Sequence, residues 1–142
     1  MIITRTPYRI SFFGGGTDYP LWYQDHGGSV ISTTIDKYCF ITCRLLPKFF
    51  DHKFRIVYSK IEDTKEIKDI LHPSVREVLL FKNVTEGLEI HHDGDLPARS
   101  GLGSSSAFTV GLIHALESLN NRLISKKKLS LEALTIEQNI IK

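Results

Sequence analysis

Residues 8–13 alternate, with Tyr8, Ile10 and Phe12 on one side of an extended chain and Arg9, Ser11 and Phe13 on the other, the period of a strand. Gly14-Gly15-Gly16 ends it. Thr17 or Asp18 then stands where a helix N-cap is expected, ahead of Pro20 at an early helical position. The short helix carrying Leu21, Trp22 and Tyr23 stops at Gly27-Gly28. Ser29–Ile35 and Tyr38–Leu46 are rich in β-branched and aromatic residues and predict paired strands with a tight turn at Asp36-Lys37. Lys53–Tyr58 predicts a further strand. Residues 62–82 carry Ile67, Ile70 and Leu71, then Val75, Val78 and Leu79, which predicts two short helices, the second opened by Pro73. Gly87–His92 predicts a strand entering a loop at 93–103. The clearest helix is Ala107–Leu119, with Phe108, Leu112, Ala115, Leu116 and Leu119 as its apolar stripe and Asn120-Asn121 at its end. Ser130 is placed to cap a last helix carrying Leu131, Leu134, Ile136 and Ile140. Strands come mostly first and helices follow, which predicts an α+β fold, a mixed sheet covered by helices.

Composition adds limits. The chain has 142 residues, 42% hydrophobic and 24% charged, which suits one globular domain burying roughly 70% of its unfolded surface. A formal charge of +2 gives no argument for nucleic acid or a membrane as partner, and Lys126-Lys127-Lys128 reads as a solvated turn. No apolar run approaches the ~18 residues of a membrane span and Met1-Ile2-Ile3 opens no signal peptide, so a cytoplasmic location is the expectation. Cys39 and Cys43, four apart on a strand, share a face but lie beyond the ~7 Å that a disulfide can bridge. Two reduced, buried thiols are expected.

Candidate chemistry concentrates at Pro97-Ala98-Arg99-Ser100-Gly101-Leu102-Gly103-Ser104-Ser105-Ser106, which runs straight into the Ala107 helix. The first turn of a helix offers backbone N–H groups without carbonyl partners and a partial positive charge, and glycine lets backbone approach a ligand closely. That combination suits a phosphate cradle, with a plain turn and a serine N-cap as the alternative. It is not a Walker A loop, because no Lys-Ser or Lys-Thr closes it. His91-His92-Asp93-Gly94-Asp95 has metal-binding residue types, but alternation puts the two histidines on opposite faces, and a solvated strand end is favoured.

The 97–107 loop resembles the second motif of the GHMP kinases, Pro-x-x-x-Gly-Leu-Gly-Ser-Ser-x-Ala, at every fixed place. Arg9-Ile10-Ser11-Phe12-Phe13-Gly14-Gly15-Gly16-Thr17-Asp18-Tyr19 resembles the family's first motif. Within that superfamily the triple glycine, Thr34-Ile35-Asp36-Lys37-Tyr38 and Pro97–Ser106 look like the heptose 7-phosphate kinase branch. Galactokinases carry Glu-His where Gly15 and Gly16 stand, which disfavours galactose.

The resemblance implies the α+β N-terminal domain of such a kinase, of the ribosomal protein S5 domain 2-like type, over residues 1–142. It also implies ATP and Mg²⁺ as cofactors and a small sugar or sugar phosphate as substrate, with heptose 7-phosphate phosphorylated at its anomeric hydroxyl as the leading expectation. A fucokinase-like or other small-molecule kinase, and a truncated, non-catalytic anion-binding or assembly domain, are the alternatives. Residues 97–106 would hold ATP, Arg99 gripping a phosphate. Ser105 and Glu137 would ligate Mg²⁺, against roles as helix N-cap and exposed helix glutamate. Arg9 would serve catalysis and substrate, against a surface strand arginine. Gly15, Gly16, Thr17 and Asp18 would meet the sugar, with Asp18 also a candidate cap. The catalytic aspartate and the C-terminal GHMP domain are expected beyond Lys142, so the chain reads as an incomplete N-terminal piece. It is expected to be inactive alone and prone to associate through exposed apolar surface.

Overall fold

The computed structural model describes residues 1–98 and 100–141. Five strands form one mixed sheet in the order β1-β2-β5-β3-β4. β1 (Ile2–Phe13) is longer than its alternation predicts, beginning at Ile2, and pairs antiparallel with β2 (Ile31–Leu45). β2 pairs antiparallel with β5 (Leu88–Gly94), and β5 runs parallel to β3 (Phe54–Val57), which pairs antiparallel with β4 (Ile61–Thr64).

The hairpin predicted at Asp36-Lys37 does not form. Pro7 pairs with Tyr38 and Arg9 with Thr34, so residues 35–37 bulge opposite the single residue Tyr8 within one continuous strand. A two-residue hairpin turn needs positive φ, which among described non-glycine residues only Asn83 and Asn121 adopt. The bulge also ends the simple alternation of β1. Tyr8 is buried, while Phe12 and Phe13 are both exposed.

The helical reading of 62–82 holds only in its second half. Residues 61–64 form the edge strand β4, and the first predicted helix shrinks to one 3₁₀ turn at Ile67–Asp69. Glu62 explains the shift. Its buried carboxylate accepts from Tyr58 Oη (2.7 Å), Leu71 N (2.6 Å) and His72 N (3.2 Å), tying the strand to the chain that follows. α2 (Pro73–Phe81) opens at Pro73 as predicted.

α3 (Ser104–Leu119) lies across β1 and β2. Its predicted stripe of Phe108, Leu112, Ala115 and Leu116 is buried and Leu119 half-buried. Ile113 joins these residues against Tyr8, Ile41, Ile56, Leu88 and Ile90 of the sheet and Val75, Val78 and Leu79 of α2. Cys39 and Cys43 enter the same core as free thiols, and burial pushes both up to about 12, so they stay protonated and unreactive at neutral pH.

α1 (Pro20–His26) ends at Gly27 as predicted, but Tyr19 occupies its N-cap without a side-chain bond, and no α1 residue is buried. Together Phe12, Phe13, Leu21, Trp22 and Ile31 leave an apolar surface at this end of the sheet. α4 (Lys126–Thr135) begins earlier than predicted. Ser125 is its N-cap, accepting from Lys128 N at 3.2 Å, whereas the Ser130 hydroxyl donates to Lys127 O at 2.9 Å. The three lysines therefore form the first turn of a helix and are exposed to solvent, as the sequence predicts.

α4 buries only Ala133 and depends on an ion cluster for its seat. Lys82, capping α2, contacts Glu117 of α3 and lies 2.9 Å from Glu132 of α4, all three side chains at most 15% exposed. Burial works against the ammonium charge, and the hydrogen bonds to both carboxylates outweigh it, so the Lys82 pKa is raised. Lys82→Met should cost about 3 kcal/mol in urea unfolding, because two buried carboxylates lose their counter-charge. Adding Glu117→Leu and Glu132→Leu should return most of it. A single mutant as stable as wild type would refute the cluster's role.

Candidate functional site

The two glycine-rich segments meet at the end of β1. Arg9 N donates to Leu102 O at 3.0 Å, so the strand and the 97–107 loop are bonded backbone to backbone. Gly103 sits at the N-cap of α3 with φ 75°, the left-handed region, and the Arg9 side chain lies over it. A Cβ on Gly103 would stand 3.1 Å from Arg9 Cγ, so the missing side chain makes room for the arginine. The triple-glycine loop is pinned from the other side. Thr17 Oγ1 donates to Gly14 O (2.7 Å) and lies 3.2 Å from both Ser29 O and Ser29 N. Gly14 has φ 81°, and a Cβ there would fall 1.8 Å from Ser29 O. Asp18 accepts from Gly16 N at 3.0 Å, which shapes the loop and does not cap α1.

These segments enclose a cleft of about 460 Å³ with α4 as its third wall. Of the residues singled out in the sequence, Arg9, Gly15, Gly16, Asp18, Gly101, Ser105, Ser106 and Glu137 line it. Thr17 does not, being spent on the loop's internal bonds, and Pro97 and Ser100 are exposed outside it. Leu102 packs against the core, and Ala98 and Ser104 border a neighbouring recess. Arg99 lies outside the described residues.

Glu137 is the pivot of the cleft. Ser105 Oγ (3.0 Å) and Thr109 Oγ1 (3.3 Å) donate to its Oε1, and Ser106 Oγ (3.0 Å) to its Oε2. Ser105 is not the N-cap of α3, since Gly103 holds that place, and Glu137 is not a solvated helix glutamate. It sits in a π-helical turn, Ile136–Ile140, closed by Ile141 N to Ile136 O at 2.9 Å. Sequence reasoning missed Thr109, fully buried, and the wall residues Ser11, Tyr19, Leu134 and Gln138. Thr109 is four residues after Ser105 and Leu134 three before Glu137, so a same-face argument would have found these two.

A small recess of about 200 Å³ adjoins the loop, bordered by His72, Ser74, His92, Ala98, Ser104, Ser105 and Phe108. His91 and His92 do not act together. His91 pairs with Glu89 at 2.7 Å, whereas His92 packs edge-on against Phe108 and is half-buried, not solvated. His72 stacks on Phe108 (centroids 4.8 Å apart), and its Nδ1 accepts from Val75 N to cap α2, which requires that nitrogen to be unprotonated. Burial, then the nearby His92, lower the His72 pKa against the pull of Glu62, and burial lowers that of His92.

Below the ordinary imidazole value of 6.5 the unfolded chain therefore takes up protons that the folded one resists. Stability should hold above that pH and fall as pH drops below it. Urea midpoints measured from pH 8 to 5.5 should show this fall, and His72→Asn, which can still cap α2, should flatten part of it. A wild-type profile level to pH 5.5 would contradict the neutral-imidazole cap.

Comparison with known proteins matches this geometry to a family. The family described as GHMP kinases N terminal domain matches residues 67–142. D-glycero-alpha-D-manno-heptose 7-phosphate kinase of Campylobacter jejuni is 29% identical over 96% of this chain and 43% of its own length. A galactokinase of Chloroflexus aurantiacus is 27% identical over 98% of the chain and 37% of its own length. The crystal structure of a D-glycero-D-manno-heptose 1-phosphate kinase from Bacteriodes thetaiotaomicron superposes with a TM-score of 0.81 at 19% identity, over 98% of this chain and 48% of that one. The chain thus spans less than half the length of these relatives. The α+β sheet, the loop-capped α3 and the matched family together place the chain among the GHMP kinases, as a member of their N-terminal domain family.

Proposed function

We propose that residues 1–142 are the nucleotide- and acceptor-binding N-terminal part of an ATP-dependent sugar kinase. Its acceptor is a sugar phosphate, with D-glycero-D-manno-heptose 7-phosphate, phosphorylated at the anomeric hydroxyl, as the best candidate. One observation carries this reading: Arg9, Asp18, Gly101, Ser105, Ser106 and Glu137 converge on one cleft although they come from distant parts of the chain. The similarity to the Campylobacter heptose 7-phosphate kinase supports the choice of acceptor, and the Gly15-Gly16 pair speaks against galactose.

The residues divide the work by chemistry. The backbone N–H groups of the loop and of the first turn of α3 receive the phosphates, and Arg9, lying over Gly103, supplies positive charge beside them. Asp18 accepts hydrogen bonds from acceptor hydroxyls, with Gly15 and Gly16 leaving the backbone open to the sugar. Ser105 and Glu137 offer hard oxygen donors already in contact, a set that suits Mg²⁺, which binds through few protein ligands and completes its shell with phosphate and water. Bound there, Mg²⁺ would neutralise charge on the transferred phosphoryl group. The general base and the domain closing over the nucleotide are assigned to sequence outside 1–142.

Steady-state kinetics on the full-length protein, with each substrate varied, test these roles. Gly103→Val should raise the ATP KM, because a branched side chain at φ 75° strains the loop and displaces Arg9. Ser105→Ala should lower kcat at least tenfold with little loss of stability, since Ser105 caps nothing. Asp18→Asn should raise the sugar KM and leave the ATP KM nearly unchanged. Three variants that lose thermal stability yet keep both wild-type KM values would reduce the cleft to a structural turn.

A further inference from the structure

The glycine loop read above as a phosphate cradle is fastened at its two ends. Leu96 and Leu102 pack against the core, while Pro97, Ala98, Ser100 and Gly101 between them are exposed. At the far end Arg9 N donates to Leu102 O at 3.0 Å. At the near end the chain leaves β5 through Asp95. Asp95 N donates to Tyr38 O at 3.0 Å, one half of the reciprocal pair that would carry the β2–β5 ladder past Cys39 and Gly94. The other half is replaced. Tyr38 N donates to Oδ2 of the Asp95 carboxylate at 2.8 Å, where a continuing strand would offer its backbone carbonyl. Both fastenings flank the bulge. Pro7 pairs with Tyr38 and Arg9 with Thr34, so residues 35–37 loop out between the position that holds Asp95 and the one beside Leu102. Gly94 keeps the exit tight, since a Cβ there would fall 2.5 Å from the hydroxyl of the buried Tyr8 opposite the bulge.

We infer that Asp95 is a positioning residue for nucleotide binding: its carboxylate stands in for its own backbone carbonyl on Tyr38, releases the chain from the sheet at that residue, and so sets where the glycine loop begins. Asp95 does not need to touch the nucleotide. With the carboxylate removed, Tyr38 N is left without its acceptor and recruits the carbonyl of residue 95, because an amide on a paired strand seeks a partner. The ladder then extends by one residue and draws the near end of the loop back to the sheet, while the bond to Arg9 keeps the far end in place. A segment fixed at both ends passes that shift to the amides between them, the groups that would face phosphate.

The inference rests on the nucleotide reading, and calorimetric titration of the full-length protein with ATP and Mg²⁺, beside urea unfolding of each variant, separates the two. Asp95→Ala should weaken ATP binding roughly fivefold, the factor that one hydrogen bond is worth. Its urea midpoint should stay close to wild type, because the bond lies at the surface. Asp95→Asn, whose amide oxygen can accept from Tyr38 N, should restore the affinity. Asp95→Glu keeps the charge but sets the acceptor one methylene too far, and should bind as weakly as Asp95→Ala. The Asn and Glu variants decide between bond and charge even where Asp95→Ala fails to fold. A weak Asn variant beside a Glu variant like wild type would assign the effect to charge and overturn the inference. Affinity and urea midpoint falling together in all three variants would overturn it too, as a structural defect. Asp95→Ala binding ATP as wild type does would overturn it and leave the nucleotide reading standing. No ATP binding by wild type would overturn both.

Discussion

The packing of α3 across β1 and β2 is the constraint on which the rest of this molecule depends. Phe108, Leu112, Ile113 and Leu116 are buried against the sheet, and at roughly 1.5–3 kcal/mol each their burial outweighs every polar contact in the cleft. Thr4 Oγ1 donates to Gly111 O at 2.9 Å, locking the helix over β1 midway along its length. With the helix so fixed, its N-terminal turn has one place to be, beside the end of β1. The hydrogen bond from Arg9 N to Leu102 O is then a consequence of that placement.

A second layer of control is electrostatic. α4 has too little apolar surface to choose its own seat, and the buried cluster of Lys82, Glu117 and Glu132 selects it. Replacing such a cluster by apolar residues need not destabilise a protein, but its directional contacts select one arrangement of three helices. That arrangement carries the π-helical turn, and so Glu137, up to the hydroxyls of α3. The cleft is therefore assembled by contacts distant from it, a hydrophobic one for α3 and an ionic one for α4.

Misreadings of the chain have a common origin. Asp36-Lys37 looked like a turn because its neighbours on both sides read as strands, but a bulge against β1 accommodates the same polar pair without any positive φ. Residues 62–64 read as the start of a helix, whereas three donors from Tyr58, Leu71 and His72 make burial of Glu62 tolerable in an edge strand. Ser130 was a plausible cap by type, yet the helix had already started at Ser125. In each case local preference was close to neutral, and a partner distant in sequence or outside the window decided the outcome.

Local chemistry by itself determined a good deal. The glycine loops, Pro20 and Pro73 at helix starts, Gly27 at a helix end and the 3.6-residue stripe of α3 were legible because each depends on backbone sterics or on periodicity within a few residues. The α+β class follows from the order of such segments, and the two glycine-rich motifs carry the resemblance to the family. Tertiary structure alone decided that Arg9 lies over Gly103, that Thr17 is spent holding its own loop, and that Ser105, Ser106 and Thr109 gather around Glu137 some thirty residues away. No periodicity encodes those meetings. They arise because burying one helix and pairing one ion cluster leaves the polar residues at their ends a single set of neighbours.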